Sequence, residues 1–409
     1  MPPTHAPQHR RRHQASEGGR RPWRWFAVVV AALTIAAGTV LLIQGLGKSA
    51  PDQATAHGAT STTDRSGTRT PATKGSSSKR GLASAAKTAD NRITISAVGD
   101  TMLGNTPVLP PDPMTYLQPV EGALRAPIVF GNLEGTLTSA TTSKCGAGST
   151  DCFAFQNPPT FAPILKAAGF TVVNSANNHS HDFGAQGVAD TTAALQGAGI
   201  VQAGLPGQIG LVTEGTTKVA FVDFAPYTDT NNLLDLPGAR VLIQQAKSEA
   251  KVVVIYMHAG AEGSDADHVT GQEESYVGED RGNPEAFAYA AIDDGADLVI
   301  ASGPHVLRGM QEYNGHLIDY SLGNFAGYQN FATGGDLGLS GILTVTLDSN
   351  GSLSSGRFTS LILSSVGEPA VDPSNAAAQF VNQLSSADFG STAVSIGPLG
   401  QLSIPAPAT

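Results

Sequence analysis

Six times between Ile93 and Ile300 the chain carries a short, mostly apolar run: Ile93 to Val98, Ile128 to Phe130, Thr171 to Asn174, Val219 to Phe224, Val252 to Met257 and Leu298 to Ile300. Runs this short predict strands buried inside a sheet rather than helices. Helical signals lie between them. Ala185 to Gly199 carries Ala and Leu and closes on glycine, while Asn283 offers an N-cap, Pro284 a first helical residue and Gly295 a stop. This alternation predicts an α/β layered fold. Beyond Gly315 the runs lengthen into Leu317 to Ser321, Gly341 to Asp348 and Gly356 to Ser364, with a turn at Asn350 and Gly351. They predict an antiparallel sheet completing a sandwich. The segment after Val371 is poorly patterned, and no internal repeat is evident.

Polar residues follow the strands in a regular way. In chain order they are Gly99-Asp100, Gly131-Asn132-Leu133-Glu134, Asn177-Asn178-His179 with Asp182, His258 with Glu262, and Gly303-Pro304-His305. In an open α/β sheet the carboxyl ends of strands share the edge where ligands bind, so five strands would deliver Asp, Glu, Asn and His to one rim. Each residue alone has an ordinary explanation: Asp100 as an Asx-turn or cap, Asn177 and Asn178 as turn formers, a histidine as a satisfied polar group. Their convergence points to a metal site. Oxygen and imidazole donors without thiolate suit Mn²⁺, Zn²⁺, Fe²⁺ or Mg²⁺ rather than a cysteine-type structural zinc.

Charge divides the chain. The first 90 residues hold 13 of the 24 Lys and Arg but 4 of the 34 Asp and Glu, so the remainder sets 11 positive residues against 30 negative, a net of −19. So acidic a domain repels phosphate backbones, which excludes nucleic acid as a partner unless metal ions intervene. Trp25 to Ile43 is uncharged over 19 residues, enough to span a hydrocarbon core of roughly 30 Å. Arg10, Arg11, Arg12, Arg20, Arg21 and Arg24 precede it, with Trp23 and Trp25 at its boundary. The expectation is a single-pass membrane helix, N-terminus cytoplasmic and the rest exported. A cleavable signal peptide is the competing reading, against which stands a run longer than the usual apolar region. Residues 47–90 lack large apolar side chains and predict a flexible stalk. The predicted division is a basic tail over 1–24, the span over 25–46, the stalk, one domain over 91–370 and a C-terminal segment over 371–409. Cys145 and Cys152 both fall in the exported part, where an oxidising compartment favours a disulfide across a short Gly-bearing loop.

The ordered set GDTMLG (Gly99 to Gly104), GNLEGTL (Gly131 to Leu137), SANNHSHDFGAQGV (Ser175 to Val188), HAGAE (His258 to Glu262) and GADLVIASGPHVLRGMQEYNGHLIDYSLGNF (Gly295 to Phe325) resembles the capsule synthesis protein CapA family, associated with poly-gamma-glutamate capsules. That family in turn is similar to the calcineurin-like metallophosphoesterases, which implies two mixed sheets flanked by helices and a metal site of one or two ions. By position the resemblance implies Asp100, Glu134, Asn178, His258 and His305 as metal ligands, with His179 as the catalytic histidine. Asp182, three residues on, would orient that imidazole. Two positions depart from the family pattern: Gly303 stands where His is usual, and Ala259 where Trp is usual. The departure leaves a mononuclear site, a site completed by water, or a pseudoenzyme. The acidic stretch from Glu262 to Glu285 is either a solvated loop, a gate, or the source of a replacement ligand such as Asp265 or Asp267.

Anchoring and resemblance together point to an extracytoplasmic, metal-dependent hydrolase or transferase acting on a capsule or envelope polymer, alongside membrane-embedded synthesis subunits. The alternative is a non-catalytic polymer-binding subunit of an export assembly.

Overall fold

The structure is a computed structural model that describes residues 92–146, 149 and 152–406. The predicted basic tail, membrane span and stalk lie outside the described residues. Among the described residues no helix is long and apolar enough to cross a membrane.

Two mixed β-sheets form the interior. Across the eight-stranded sheet the strands run Pro369–Val371, Leu353–Leu363, Leu339–Leu347, Ile93–Met102, Ile128–Leu133, Val172–Asn174 and Val201–Ala203, and Asn324–Gly327 pairs with the far end of Ile93–Met102. The six-stranded sheet runs Met310–Tyr313, His316–Asp319, Leu298–Ser302, Val252–His258, Thr217–Phe224 and Gly210–Glu214. The short apolar runs are the parallel strands at the centre of each sheet. They lack polar alternation because both of their faces are covered.

Ile95, Phe130 and Val172 of one sheet and Phe221, Val254, Tyr256 and Ile300 of the other belong to one buried cluster. Phe130 stacks on Phe221 with centroids 5.3 Å apart. Helices cover the outer faces. Leu236–Glu249 and Pro284–Asp293 bury Ile243 and Phe287 with Val253 and Ile255 of the second sheet. Phe161–Ala167 and Gly184–Ala198 bury Leu165 and Leu195 with Val129 and Val173 of the first. Each large side chain so buried contributes about 1.5–3 kcal/mol. The helix signals fall where expected: Asn283 caps the Ala286 amide at 3.0 Å, and Gly199 ends its helix in the left-handed region at φ 66°.

One expectation needs correction. Leu317 to Ser321 does not join the late antiparallel strands. It forms His316–Asp319, which pairs parallel with Leu298–Ser302 in the other sheet. Only Leu339–Leu347 and Leu353–Leu363 make the antiparallel hairpin, against Ile93–Met102. Beyond Val371, where the sequence pattern gives no element, Ala376–Phe389 is a helix that buries Ala377, Val381 and Leu384, and Met310 donates its amide to Ser385 Oγ at 2.8 Å. Three of its six buried residues are Ala or Ser, Ala377, Ala378 and Ser385, so hydrophobic periodicity is weak there although the packing is close.

Candidate metal centre

The carboxyl ends of Ile93–Met102, Ile128–Leu133 and Val252–His258 meet where the two sheets face each other. A register shift between Val98 and Asp100 turns Asp100 into this junction. The chain can bend there because residue 99 is glycine: a Cβ at Gly99 would stand 1.9 Å from Gly323 O, and the Asp100 amide donates to that same carbonyl at 2.9 Å. Glu134 sits just beyond its strand, its amide donated to Thr101 O at 3.1 Å. His258 is the last residue of its strand, in register with Ser302.

Asp100, Glu134 and His258 are wholly buried, and each offers one ligand atom lying within 4.8 Å of the others. Asp100 Oδ1 accepts from Asn132 Nδ2 at 2.7 Å and from Ser302 Oγ, and Asp100 Oδ2 pairs with His305 Nδ1 at 3.0 Å. Glu134 Oε2 accepts from Asn132 Nδ2 and lies 3.8 Å from His258 Nδ1. Among the described residues Glu134 Oε1 and His258 Nε2 are buried with no hydrogen-bond partner. Buried polar atoms without partners are costly, on the order of 1–3 kcal/mol each, and a divalent cation held by Asp100, Glu134 and His258 would offset that cost. The donor set, two carboxylates and an imidazole, fits such an ion.

The electrostatics agree. Burial pushes Glu134 well above the ordinary carboxylate range, and the charge of Asp100 beside it adds to the rise. Burial would raise Asp100 as well, but the hydrogen bond and charge of His305, with His258 and Ser302, hold it at about 2. Burial drives His258 well below the usual imidazole value, leaving it neutral and able to donate a lone pair.

Asn132, part of the polar rim by sequence but given no task there, organises the cluster. Its carbonyl oxygen accepts from Asn174 Nδ2 at 2.7 Å and from Asn177 Nδ2 at 2.8 Å, so its NH₂ group faces the two carboxylates and His258. An asparagine inside a buried strand, in register with Asp100, was the available signal. Asn177 also accepts the His179 amide at 3.0 Å. Asn178 Oδ1 is buried with no partner among the described residues, and its backbone carbonyl accepts from Lys144 Nζ at 2.9 Å. Among the described residues no hydrogen bond or ion pair joins the Asn178 side chain to the Asp100 cluster.

His179 and Asp182 form a pair: Nδ1 lies 2.9 Å from Asp182 Oδ2, while Nε2 points toward Glu134 Oε1 at 4.0 Å. Burial lowers the His179 pKa below the usual value, although the Asp182 bond acts in the opposite direction. His181 faces away, 3.2 Å from Asp229. Cys145 and Cys152 form a disulfide, and the residues flanking it reach Asp182.

His305 adopts a left-handed backbone, φ 58°, which is strained for a side-chain-bearing residue. Its Nδ1 also lies 2.9 Å from Asn324 Oδ1. At Gly303 φ is 118°, and a Cβ would lie 3.1 Å from Ala259 N and 3.3 Å from His258 Cδ2, so no larger residue fits without strain. Neither Asp265, exposed in a short 3₁₀ turn, nor Asp267 contacts the cluster through a hydrogen bond or ion pair. The acid of this stretch that approaches is Glu262, with Oε2 3.8 Å from His305 Nε2 and Oε1 2.9 Å from the guanidinium of the fully buried Arg281. A cavity of about 380 Å³ opens over His179, His305 and Glu262.

Residues 94–329 match the family described as bacterial capsule synthesis protein PGA_cap. The chain is 31% identical over 292 residues to the PGA biosynthesis protein CapA of Bacillus subtilis (strain 168), a match covering 66% of this chain and 70% of that protein. Against the capsule biosynthesis protein CapA of Bacillus anthracis it is 35% identical over 188 residues, 39% of this chain and 41% of that one. Among solved structures, a 5'-nucleotidase precursor from Thermus thermophilus aligns at a TM-score of 0.38 with 12% identity, over 66% of this chain and 54% of that one. With its motifs spread over the matched span from Asp100 to His305, the chain belongs to the bacterial capsule synthesis protein PGA_cap family.

Proposed function

We propose that this chain is a metal-dependent hydrolase or transferase of capsule or envelope polymer assembly, built on a calcineurin-like metallophosphoesterase fold and held to the membrane by the apolar run Trp25 to Ile43. The observation that carries the reading is the buried set of Asp100, Glu134 and His258, with Glu134 Oε1 and His258 Nε2 lacking partners. These three residues would hold the ion, with His305 beside them through Asp100 Oδ2. A bound divalent cation polarises a phosphoryl or carbonyl oxygen and lowers the pKa of bound water toward about 7.

The remaining work falls to the chain itself. Asp182 engages Nδ1 of His179, which fixes the tautomer and leaves Nε2 for a proton at the reacting group. Because burial keeps this imidazole neutral at neutral pH, Nε2 accepts a proton rather than losing one. The asparagines at 132, 174 and 177 lock the carboxylates and the His179 backbone in one arrangement.

The test is turnover of a model phosphodiester, bis(p-nitrophenyl) phosphate, by the metal-loaded full chain. His179→Ala is expected to keep its metal and lose about 10²–10⁴-fold in rate, the usual worth of a general acid or base. Unchanged turnover in that variant refutes the assignment. Absence of both metal and turnover in the parent chain would instead make it a binding subunit, in line with the glycine at 303.

A further inference from the structure

The cavity over the metal centre has aromatic walls drawn from three separate segments. Phe153 and Phe155 follow Cys152, Tyr276 lies on the hairpin Glu274–Tyr276 and Glu279–Gly282, and Phe331 follows the strand Asn324–Gly327. Two of these rings rest on the histidines of the site: Phe155 on His179, centroids 4.3 Å apart, and Phe331 on His305 at 5.4 Å. Phe153 is 65% exposed and Tyr276 38%, so two aromatic faces stand open to solvent around one opening. Clustered aromatic exposure beside a polar floor is the pattern of a ligand pocket, whereas scattered exposed apolar residues need no explanation.

The polar lining narrows the ligand. Glu262, Asn324 and Asn330 line the cavity, and among the described residues no lysine or arginine does. The guanidinium of Arg281, which pairs with the lining Glu262, is buried and also engages Glu279. A carboxylate or phosphate held against the exposed rings would meet Glu262 and gain no lysine or arginine partner among the described residues that line the cavity. A pyranose ring has an apolar C–H face for the aromatic walls and hydroxyls for the carboxylate and amides. We propose that this cavity is a subsite for a neutral sugar ring of an envelope glycan, positioned beside the reactive centre, and that the polyanionic chain does not occupy it. The proposal rests on the reading of the neighbouring centre as the reactive site.

Calorimetric titration of the metal-loaded full chain tests it, with N-acetylglucosamine trimer and maltotriose as neutral probes and a γ-linked glutamate pentamer as the anionic one. The expected result is saturable binding of a neutral probe, weakened at least tenfold in Phe153→Ala and Phe331→Ala with metal content unchanged. Phe153 is exposed, so its variant leaves folding intact. Binding of the glutamate pentamer that is lost in Phe153→Ala, or no saturable binding of either sugar, overturns the proposal. Sugar binding by a chain that takes up no metal would leave the subsite standing and remove the reactive-site reading. Metal uptake and turnover without sugar binding would remove the subsite alone.

Discussion

Asp182 Oδ2 lies 2.9 Å from Nδ1 of His179, and the same carboxylate is gripped from both ends of the disulfide loop. Lys144, adjacent to Cys145, places Nζ 2.7 Å from Asp182 Oδ1 and donates its amide to Asp182 O at 2.7 Å. Phe155, three residues after Cys152, donates its amide to Oδ2 at 2.6 Å and lays its ring on His179. The cross-link therefore holds together the two segments that orient the proposed catalytic imidazole.

Replacing both cysteines by serine removes loop closure over a separation of seven residues, worth about 2.5 kcal/mol in the chain-entropy account. The expected outcome is a lower thermal midpoint together with a fall in phosphodiester turnover of up to about 10²-fold, as misplacement of a catalytic group produces, with metal content unchanged. Unaltered turnover at a temperature where the variant is fully folded would show that His179 is positioned without the loop.

The proposed metal ligands and the proposed catalytic histidine separate by readout. Asp100→Ala and His258→Ala are expected to lower metal occupancy, since each removes a donor of the buried set. His179→Ala should leave occupancy intact. Metal analysis of the three purified variants decides this, and a His258→Ala chain with full metal content would place the ion elsewhere.

Arg281 is buried, with its guanidinium 2.9 Å from Glu262, 3.5 Å from Glu279 and 3.0 Å from the Tyr227 hydroxyl. Removing one member of a buried ion pair leaves the other uncompensated and costs about 3–5 kcal/mol. Arg281→Met should destabilise by that order in urea unfolding, and adding Glu262→Gln should return part of it. A double variant as unstable as the sum of the two singles would mean that the pair is not coupled.

Asp223 is wholly buried with neither carboxylate oxygen hydrogen-bonded, and burial raises its pKa well above 3.8. The folded chain keeps a proton there that the unfolded chain releases, so this group's contribution to stability falls as pH rises from 3.8 toward the folded value. Asp223→Asn carries no such dependence. Its stability relative to the parent should grow by up to about 1.4 kcal/mol per pH unit over that window. Urea midpoints at pH 4, 5, 6 and 7 measure the slope, and a pH-independent difference would contradict the assignment.

Much of this was legible in the sequence because parallel strands buried on both faces announce themselves as short apolar runs, and the residues just after them fall on one edge. Asp100, Glu134, His258 and His305 stand just after such runs, and the structure brings the first three together. The task of Asn132 was not, because an asparagine reads locally as a turn former and its orientation is set by Asn174 and Asn177, 42 and 45 residues away. Glu262 was noted only as the partner of a histidine, since its approach to His305 depends on Arg281 folding back from the hairpin. The helix Ala376–Phe389 escaped because Ala and Ser contacts give little hydrophobic contrast. The tie between the disulfide and His179 runs through Asp182 and belongs to tertiary structure alone.

The most direct measurement is the metal content of the full chain by inductively coupled plasma mass spectrometry, after purification without chelators or metal-binding tags and incubation with Mn²⁺, Fe²⁺ or Zn²⁺. The account predicts at least one equivalent of a divalent metal per chain, lost when Asp100, Glu134 or His258 is replaced. A chain that retains no stoichiometric metal under these conditions would contradict it.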